Sequence, residues 1–153
     1  MAHYQLRREQ ILKTDIHTIW NFASSPANLR EITPDYMLFE ITSKGLPEKM
    51  YPGMIISYKV SPLLNIKMNW VTEITQVKDK QFFIDEQRLG PYKMWHHQHF
   101  FEEKDGGVLM TDIVTYIPPF GILGDIANIL FIKKKLKGIF DYRFKVMEEK
   151  FNQ

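Results

Sequence analysis

The sequence predicts an α+β fold, in which a curved antiparallel sheet of about seven strands wraps around a long C-terminal helix. Segments with alternating apolar residues follow one another between residues 37 and 117, and short turn signals separate them, which is typical of hairpin-linked strands. After residue 125 the apolar spacing changes to that of a helix. The length of 153 residues matches a single domain over 1–153.

The N-terminal part predicts one strand followed by one or two short helices. Residues 3–13 alternate loosely and are typical of a strand. Thr14 or Asp15 can cap a helix, because apolar side chains then recur at helical spacing. Pro26 ends or kinks that helix, and a second short helical turn is expected over 27–32.

Six further strands are predicted, each ended by turn or breaker residues. The Asp105-Gly106-Gly107 sequence is the strongest hairpin signal among them. Another hairpin turn is expected over 77–80. The predicted strands cover residues 37–43, 54–60, 66–74, 82–89, 93–103 and 108–117.

The most informative feature is a row of four residues spaced two apart: Trp95, His97, His99 and Phe101. Alternate side chains of a strand point to the same face, so an indole, two imidazoles and a phenyl ring should lie in one row. A face that mixes large apolar rings with polar groups favours the wall of a pocket over a plain core.

The two histidines allow several kinds of chemistry. The hairpin at Asp105 pairs their strand with the next one, which should bring Asp112 to the same face. A carboxylate there can accept a hydrogen bond and fix the histidine tautomer, or work with His97 or His99 as an acid–base pair. The two imidazoles with Asp112 as a third ligand would also suit zinc or non-haem iron, although neither a metal nor a cofactor is expected.

An arginine lies on the apolar face of the predicted C-terminal helix, three residues after Phe140. The guanidinium of Arg143 stays charged in proteins, so a buried one needs a partner. One interpretation is an internal ion pair with Asp112 or Asp85. The other is an anchor for a carboxylate or carbonyl group of a ligand.

The candidate site residues combine this polar set with aromatic side chains that would line a pocket. Gln87 is included because it has the same parity as Asp85 on the neighbouring strand. Phe120 is included because the apolar segment 118–123 lies between the last strand and the helix, either as a lip at the pocket mouth or as a packed connection. The candidates are Tyr58, Trp70, Gln87, Trp95, His97, His99, Phe101, Asp112, Tyr116, Phe120 and Arg143.

The composition excludes some function classes. A net charge of +2 argues against nucleic-acid binding, and the absence of cysteine excludes disulfides and thiolate chemistry. The lysines at 133–135 are interpreted as a solvated helix face or, less readily, as a patch for anionic lipid. Neither a signal peptide nor a stretch that spans a membrane is visible, so we expect a cytoplasmic protein without stable membrane insertion.

The whole chain resembles the START and polyketide-cyclase-like superfamily, SRPBCC, whose domains have the helix-grip fold. One bacterial branch has a run similar to the one formed here by Asp85, Gln87, Gly90, Pro91, Tyr92, Trp95, His97, His99 and Phe101. Further matches are Gly106, Gly107, Met110, Asp112, Val114, Tyr116 and Pro119, and then Phe140, Asp141, Tyr142 and Arg143. The resemblance implies a cavity for a hydrophobic small molecule, and it implies no particular reaction.

Three functions follow as hypotheses. The first is binding or transport of a lipid- or polyketide-like molecule between the sheet and the C-terminal helix. The second is an enzyme of the cyclase, dehydratase or isomerase type, with Asp112 and His97 or His99 as acid–base groups. The third is a partner-binding module similar to co-chaperone domains, which would need a contiguous exposed apolar patch.

Overall fold

The computed structural model describes residues 2–61 and 66–153, and within these ranges seven strands form one antiparallel sheet. The strands are arranged in the order β1-β7-β6-β5-β4-β3-β2, so that the chain closes its first strand against its last. This architecture confirms the predicted α+β fold. The strands are β1 Tyr4–Leu12, β2 Glu40–Ile41, β3 Met54–Val60, β4 Met68–Lys78, β5 Phe82–Leu89, β6 Met94–Lys104 and β7 Gly107–Ile117.

Helices flank the sheet in sequence. Helix α1, Ile16–Ala23, begins at Asp15, whose carboxylate accepts a hydrogen bond of 3.0 Å from the backbone N–H of Thr18. Two 3₁₀ turns follow at Pro26–Leu29 and Asp35–Met37. The C-terminal helical stretch runs without a break through α2 (Ile122–Ala127), a π-helical segment (Asn128–Ile132) and α3 (Lys133–Phe151). It therefore begins three residues before the predicted start.

The prediction of a strand over 37–43 was wrong in most of its length. Within this range only Glu40–Ile41 forms a strand against β3, although the N–H groups of Thr42 and Ser43 also donate to the carbonyl oxygen of Ser57. The 3₁₀ turn before it occupies Met37, and Leu38 has a left-handed backbone with φ 48°, so the chain cannot be extended there. The strand expected over 66–74 instead runs from Met68 to Lys78. Val77 and Lys78 pair with β5, so the turn lies closer to Gln81 than the predicted turn at 77–80.

The β6–β7 hairpin sets the register that matters for the site. Asp105 and Gly106 both have positive φ, 53° and 75°, as a two-residue type I′ turn requires. The pairing that follows places Trp95 opposite Tyr116 and His99 opposite Asp112. The expected common face for the β6 row and Asp112 is therefore present.

Helix α3 packs across one face of the sheet. Leu136 and Phe140 join Val114 in one apolar cluster, and Met147 belongs to a larger cluster around α1. Two register shifts between β4 and β5 are the kind of irregularity that bends a sheet. Between the sheet and α3 a space remains, and this space contains the candidate site.

Candidate functional site

A cavity of about 140 Å³ lies between the sheet and α3. Its size is close to that of an engineered apolar cavity that binds benzene. Most of its lining is apolar, and a few polar side chains converge at one part of it. Such a combination is the usual composition of a small-molecule site.

Eight of the eleven candidate residues line this cavity. They come from several strands of the sheet and from α3, which explains why no continuous motif contains them. They are Tyr58, Trp70, Trp95, His97, His99, Phe101, Asp112 and Arg143.

Three candidates lie elsewhere, which corrects their predicted placement. Gln87 donates a hydrogen bond of 2.6 Å to the carbonyl oxygen of Tyr92 and accepts one of 3.2 Å from its N–H, so it closes the turn between β5 and β6. Tyr116 packs in the apolar cluster beneath α3 and donates to Asn128 Oδ1. Phe120 is 83% exposed, because the segment after β7 points it away from the protein.

Several lining residues were not among the candidates. Ile139 and Phe140 lie four and three residues before Arg143, and Met147 lies four residues after it. The position of Arg143 could therefore have predicted them on the same helix face. Ile56 and Ile74 have the same parity as Tyr58 and Trp70 on their strands. Residue spacing in the sequence could therefore have identified both groups as lining residues. Asp85 is not one of the eleven candidates, but its parity with Gln87 predicts a place beside the histidines in a polar band, and it lines the cavity.

The polar part of the cavity is a closed cluster of two histidines and two carboxylates. Asp112 Oδ1 accepts a hydrogen bond of 3.0 Å from His97 Nε2 and lies 2.9 Å from His99 Nδ1, within ion-pair distance. Asp85 Oδ2 lies 2.8 Å from His99 Nε2 and 3.6 Å from His97 Nδ1. The imidazole rings overlap with centroids 3.7 Å apart, so the four side chains act as one unit.

These distances assign different protonation states to the two histidines. Both nitrogens of His99 lie within hydrogen-bond distance of a carboxylate oxygen, and only the imidazolium can donate from both. Burial lowers the pKa of His99, but hydrogen bonds to Asp112 and Asp85 outweigh it and leave the pKa raised. Burial, together with the neighbouring His99 charge, lowers the pKa of His97 to about 4. A neutral His97 then donates from Nε2 alone.

Both carboxylates are ionised. Burial raises the pKa of Asp112, but hydrogen bonds from His97 and His99 hold it well below its usual range. For Asp85, burial is likewise outweighed by the hydrogen bond from His99 and by the nearby positive charges, including Arg143, so its pKa is lowered. With His97 neutral, the two carboxylates and the His99 imidazolium leave the cluster with one negative charge.

The predicted ion pair of Arg143 is not formed, so that interpretation was wrong. Among the residues that the structure describes, the salt bridges within 4.0 Å include none to Arg143. Its Nε atom is buried and has no hydrogen-bond partner there. The guanidinium carbon lies 5.0 Å from the ring centroid of Phe140. Arg143 therefore packs on this ring beside the cavity and forms no ion pair with the described residues.

Arg143 also lines a second, much smaller cavity of about 10 Å³, which it shares with Gln10. This volume is close to the minimum for one water molecule. The Oε1 atom of Gln10 is buried without a partner among the described residues as well, whereas its Nε2 donates to α3 at the carbonyl oxygen of Phe144.

The aromatic part of the cavity is centred on Trp70. Its ring stacks on Tyr58 at 5.9 Å and meets Trp95 edge-on at 5.3 Å. Trp70 Nε1 is buried and has no hydrogen-bond partner in the described part of the chain. Two unpaired donors, on Trp70 and Arg143, thus belong to residues that line the same cavity.

The cluster also meets the minimum geometry of a metal site. One ligand atom each from Asp85, His97 and His99 lies within 4.8 Å of the others. Asp85 takes the position that the sequence interpretation gave to Asp112. A metal ion bound to His99 would have to replace a proton that the two carboxylates hold in place.

Comparison with known proteins establishes the fold alone. No family model and no curated protein matches the chain. A solved structure of protein CV1439 from Chromobacterium violaceum is similar, with TM-score 0.73, 9% identity and coverage of 97% of this chain and 98% of that one. Protein TTHA0849 from Thermus thermophilus follows with TM-score 0.66, 15% identity and 95% coverage of both chains.

Ara h 8.0201 is also similar, with TM-score 0.62, 15% identity and coverage of 97% of this chain and 99% of its own. These likenesses confirm the helix-grip fold. Membership of the branch with the Trp95 to Phe101 motif stays a prediction. Within the described residues no helix is long and apolar enough to cross a membrane.

Proposed function

We propose that this chain binds a hydrophobic small molecule, lipid- or polyketide-like, in the cavity between the sheet and α3, and carries it. The helix-grip fold supports a ligand-binding role in general. The observation that carries the proposal is the cavity itself, whose lining is apolar but includes two buried donors without partners among the described residues. Buried polar groups in proteins are normally hydrogen-bonded, so an unpaired donor beside a cavity indicates a position for a ligand acceptor.

The two unpaired donors restrict the class of ligand that the cavity can bind. Arg143 has a positive charge and can bind a carboxylate or a carbonyl oxygen, and Trp70 Nε1 can only donate. A complementary ligand has an apolar body with at least one acceptor group. The ionised carboxylates Asp85 and Asp112 repel an anion, but His99 already compensates one of these charges. We therefore expect the acceptor of the ligand to lie on the Arg143 side of the cluster.

The test is native mass spectrometry of the purified protein, with solvent extraction to identify any bound compound, and titration with octanoate. We expect a stoichiometric apolar adduct or saturable octanoate binding. Ile139→Trp, which fills the cavity, should abolish binding, whereas Ile55→Trp on the half-exposed side of β3 should leave it unchanged. Equal binding by both variants would place the ligand outside the cavity.

An enzyme of the isomerase, dehydratase or cyclase type is the second candidate. One observation favours it: a neutral His97 lies beside a protonated His99 at the cavity, so a proton acceptor and a proton donor are adjacent. The lowered pKa of Asp112 makes this carboxylate a weak base, and the role would fall to the histidines. For this reason binding remains the leading proposal.

This candidate has a test that needs no natural substrate. Exchange of the α-protons of 2-tetralone for deuterium can be followed by NMR with catalytic amounts of protein. A histidine that abstracts protons would accelerate the exchange with saturation, and His97→Asn would remove the acceleration. Exchange at the same rate with wild type, with His97→Asn and with buffer would exclude such acid–base catalysis of this ketone.

A further inference from the structure

The segment between β7 and α3 has its apolar side chains on the outside. Seven large apolar residues within twelve positions are between 44% and 83% exposed. They are Phe120, Ile122, Leu123, Ile126, Ile129, Leu130 and Phe131. Single exposed apolar residues are normal on protein surfaces, but a contiguous group of this kind marks an interaction site.

The polar residues of the same segment face inward. Asp125 accepts a hydrogen bond of 3.2 Å from the hydroxyl of Tyr4, and buried Asn128 accepts one of 2.8 Å from Tyr116. Gly124 packs so tightly on the chain that a Cβ atom would lie 1.8 Å from the carbonyl oxygen of Pro119. These contacts hold the segment in place, so the outward apolar face is part of the folded structure.

A band of lysines follows directly on the apolar face. Lys133, Lys134 and Lys135 are all exposed at the start of α3. Lys135 Nζ lies 6.0 Å from the ring centroid of Tyr36, which is itself half exposed. Half-exposed Leu38 lies two residues further on. The surface of exposed residues at 120–131, 133–135, 36 and 38 is called the apolar–basic surface below.

We propose that the apolar–basic surface docks on an anionic lipid bilayer. Exposed apolar side chains can enter the boundary between headgroups and acyl chains, while lysines beside them contact anionic headgroups. Within 120–135 the single acidic side chain, Asp125, is hydrogen-bonded to Tyr4 on the inner side, so the exposed charges of this segment are the lysines at 133–135. A protein partner or a second copy of this chain would need a complementary apolar and acidic face, and this charge pattern matches an anionic membrane directly.

The position of this surface fits the cavity. Met37 lines the cavity and lies between the exposed side chains of Tyr36 and Leu38. Docking would therefore bring the cavity wall close to the lipid phase, where an apolar ligand can exchange. This last step rests on the proposed ligand-binding function, whereas docking itself does not.

Vesicle flotation with the full chain, without added ligand, tests the proposal. Vesicles of phosphatidylcholine alone are compared with vesicles that contain about 30 mol% phosphatidylglycerol, at low and high salt. We expect the protein to float with the anionic vesicles, and high salt should weaken this binding. Replacement of Lys133, Lys134 and Lys135 by glutamine should reduce the partition coefficient about 100-fold, at about fivefold per lysine.

A second variant tests the apolar part. Replacement by serine of three exposed residues, Leu123, Ile129 and Leu130, should also reduce the partition coefficient about 100-fold. A matched control carries serine at Ile55 and Leu89, which are 47% and 57% exposed outside this surface, and it should float like wild type. Circular dichroism melting of each variant shows whether it is folded.

Three results would overturn the proposal. The first is no flotation of the wild type with anionic vesicles, and the second is equal flotation of all variants. The third is a wild-type dimer in light scattering that the serine variant dissociates, without vesicle binding, which would assign the surface to a second copy. Ile139→Trp separates the two proposals, because it should abolish octanoate binding and leave flotation unchanged.

Discussion

Asp112→Asn tests the description of the polar cluster most sharply. The substitution keeps the size of the side chain but removes the charge that two imidazoles share. Asp112 Oδ1 accepts a hydrogen bond from His97 at 3.0 Å and pairs with His99 at 2.9 Å, and all three side chains are buried or nearly so. The amide oxygen can still accept hydrogen bonds, but it cannot compensate the charge of a buried imidazolium.

The magnitude follows from the burial of the cluster. Removing one partner of a buried ion pair costs about 3–5 kcal/mol, because the remaining charge stays buried without compensation. Here Asp85 still pairs with His99 at 2.8 Å, so we expect the lower end, about 3 kcal/mol. The pKa of His99 should fall, because the hydrogen bond to Asp112 is the largest contribution that raises it.

The assay is urea unfolding at pH 6, together with a ¹³C NMR titration of the histidine rings. Asp141→Asn is the matched control, since the half-exposed Asp141 pairs with Lys137 at 2.7 Å and with Arg8, and such surface pairs should contribute about 1 kcal/mol or less. A loss of less than about 1 kcal/mol in Asp112→Asn, with an unchanged His99 titration, would refute the charged cluster.

Three further predictions follow from the structure. Between pH 6.5 and pH 4 the free energy of unfolding should fall by about 3 kcal/mol, because the unfolded chain binds a proton at His97 that the folded chain binds only near its lowered pKa of about 4. Above pH 6.5 the free energy of unfolding should fall again, because His99, with its raised pKa, loses its proton in the folded chain. Urea unfolding as a function of pH measures both decreases. A His97→Asn variant that shows the same decrease below pH 6.5 would contradict the lowered pKa of His97. In thermal melts Gly124→Ala should destabilise the protein by about 2 kcal/mol, because its Cβ would clash with Pro119. Gly138→Ala, whose Cβ would have no atom within 4 Å, should stabilise the protein by about 1 kcal/mol. Equal effects of the two variants would show that α2 is packed differently. Arg143→Met should change the free energy of unfolding in urea by less than about 1 kcal/mol. The affinity for octanoate should fall about tenfold, whereas the affinity for octanol should not change. Equal losses of affinity for both probes would assign Arg143 a purely structural role.

The sheet side of the site could be predicted from sequence because strand parity and turn type are local properties. The Trp95 to Phe101 row followed from a period of two residues, and the turn at Asp105-Gly106 then aligned Asp112 with it. Parity also placed Asp85 near the histidines. These inferences needed only the residue spacing and one hairpin.

The remaining features depend on how far apart packed elements lie, which residue spacing does not specify. Arg143 was correctly placed on the inner face of the helix, but its packing on Phe140 and the gap to Asp85 and Asp112 are tertiary. Gln87 has the expected parity, yet it caps a turn because Gly90 and Pro91 reverse the chain within its reach. The outward orientation at Phe120 was missed because an apolar segment is normally expected to pack inward.

An apolar ligand that enters the cavity should contact Arg143. The most direct measurement is an NMR titration with octanoate, observed at isoleucine methyl groups and at the arginine Nε–H signals. We expect saturable shifts at Ile56, Ile74 and Ile139, which line the cavity, and at the Nε–H of Arg143, which has no partner among the described residues. Shifts confined to exposed Ile55 and Ile126, or an Arg143 signal that does not respond, would show that octanoate does not bind in the cavity beside Arg143.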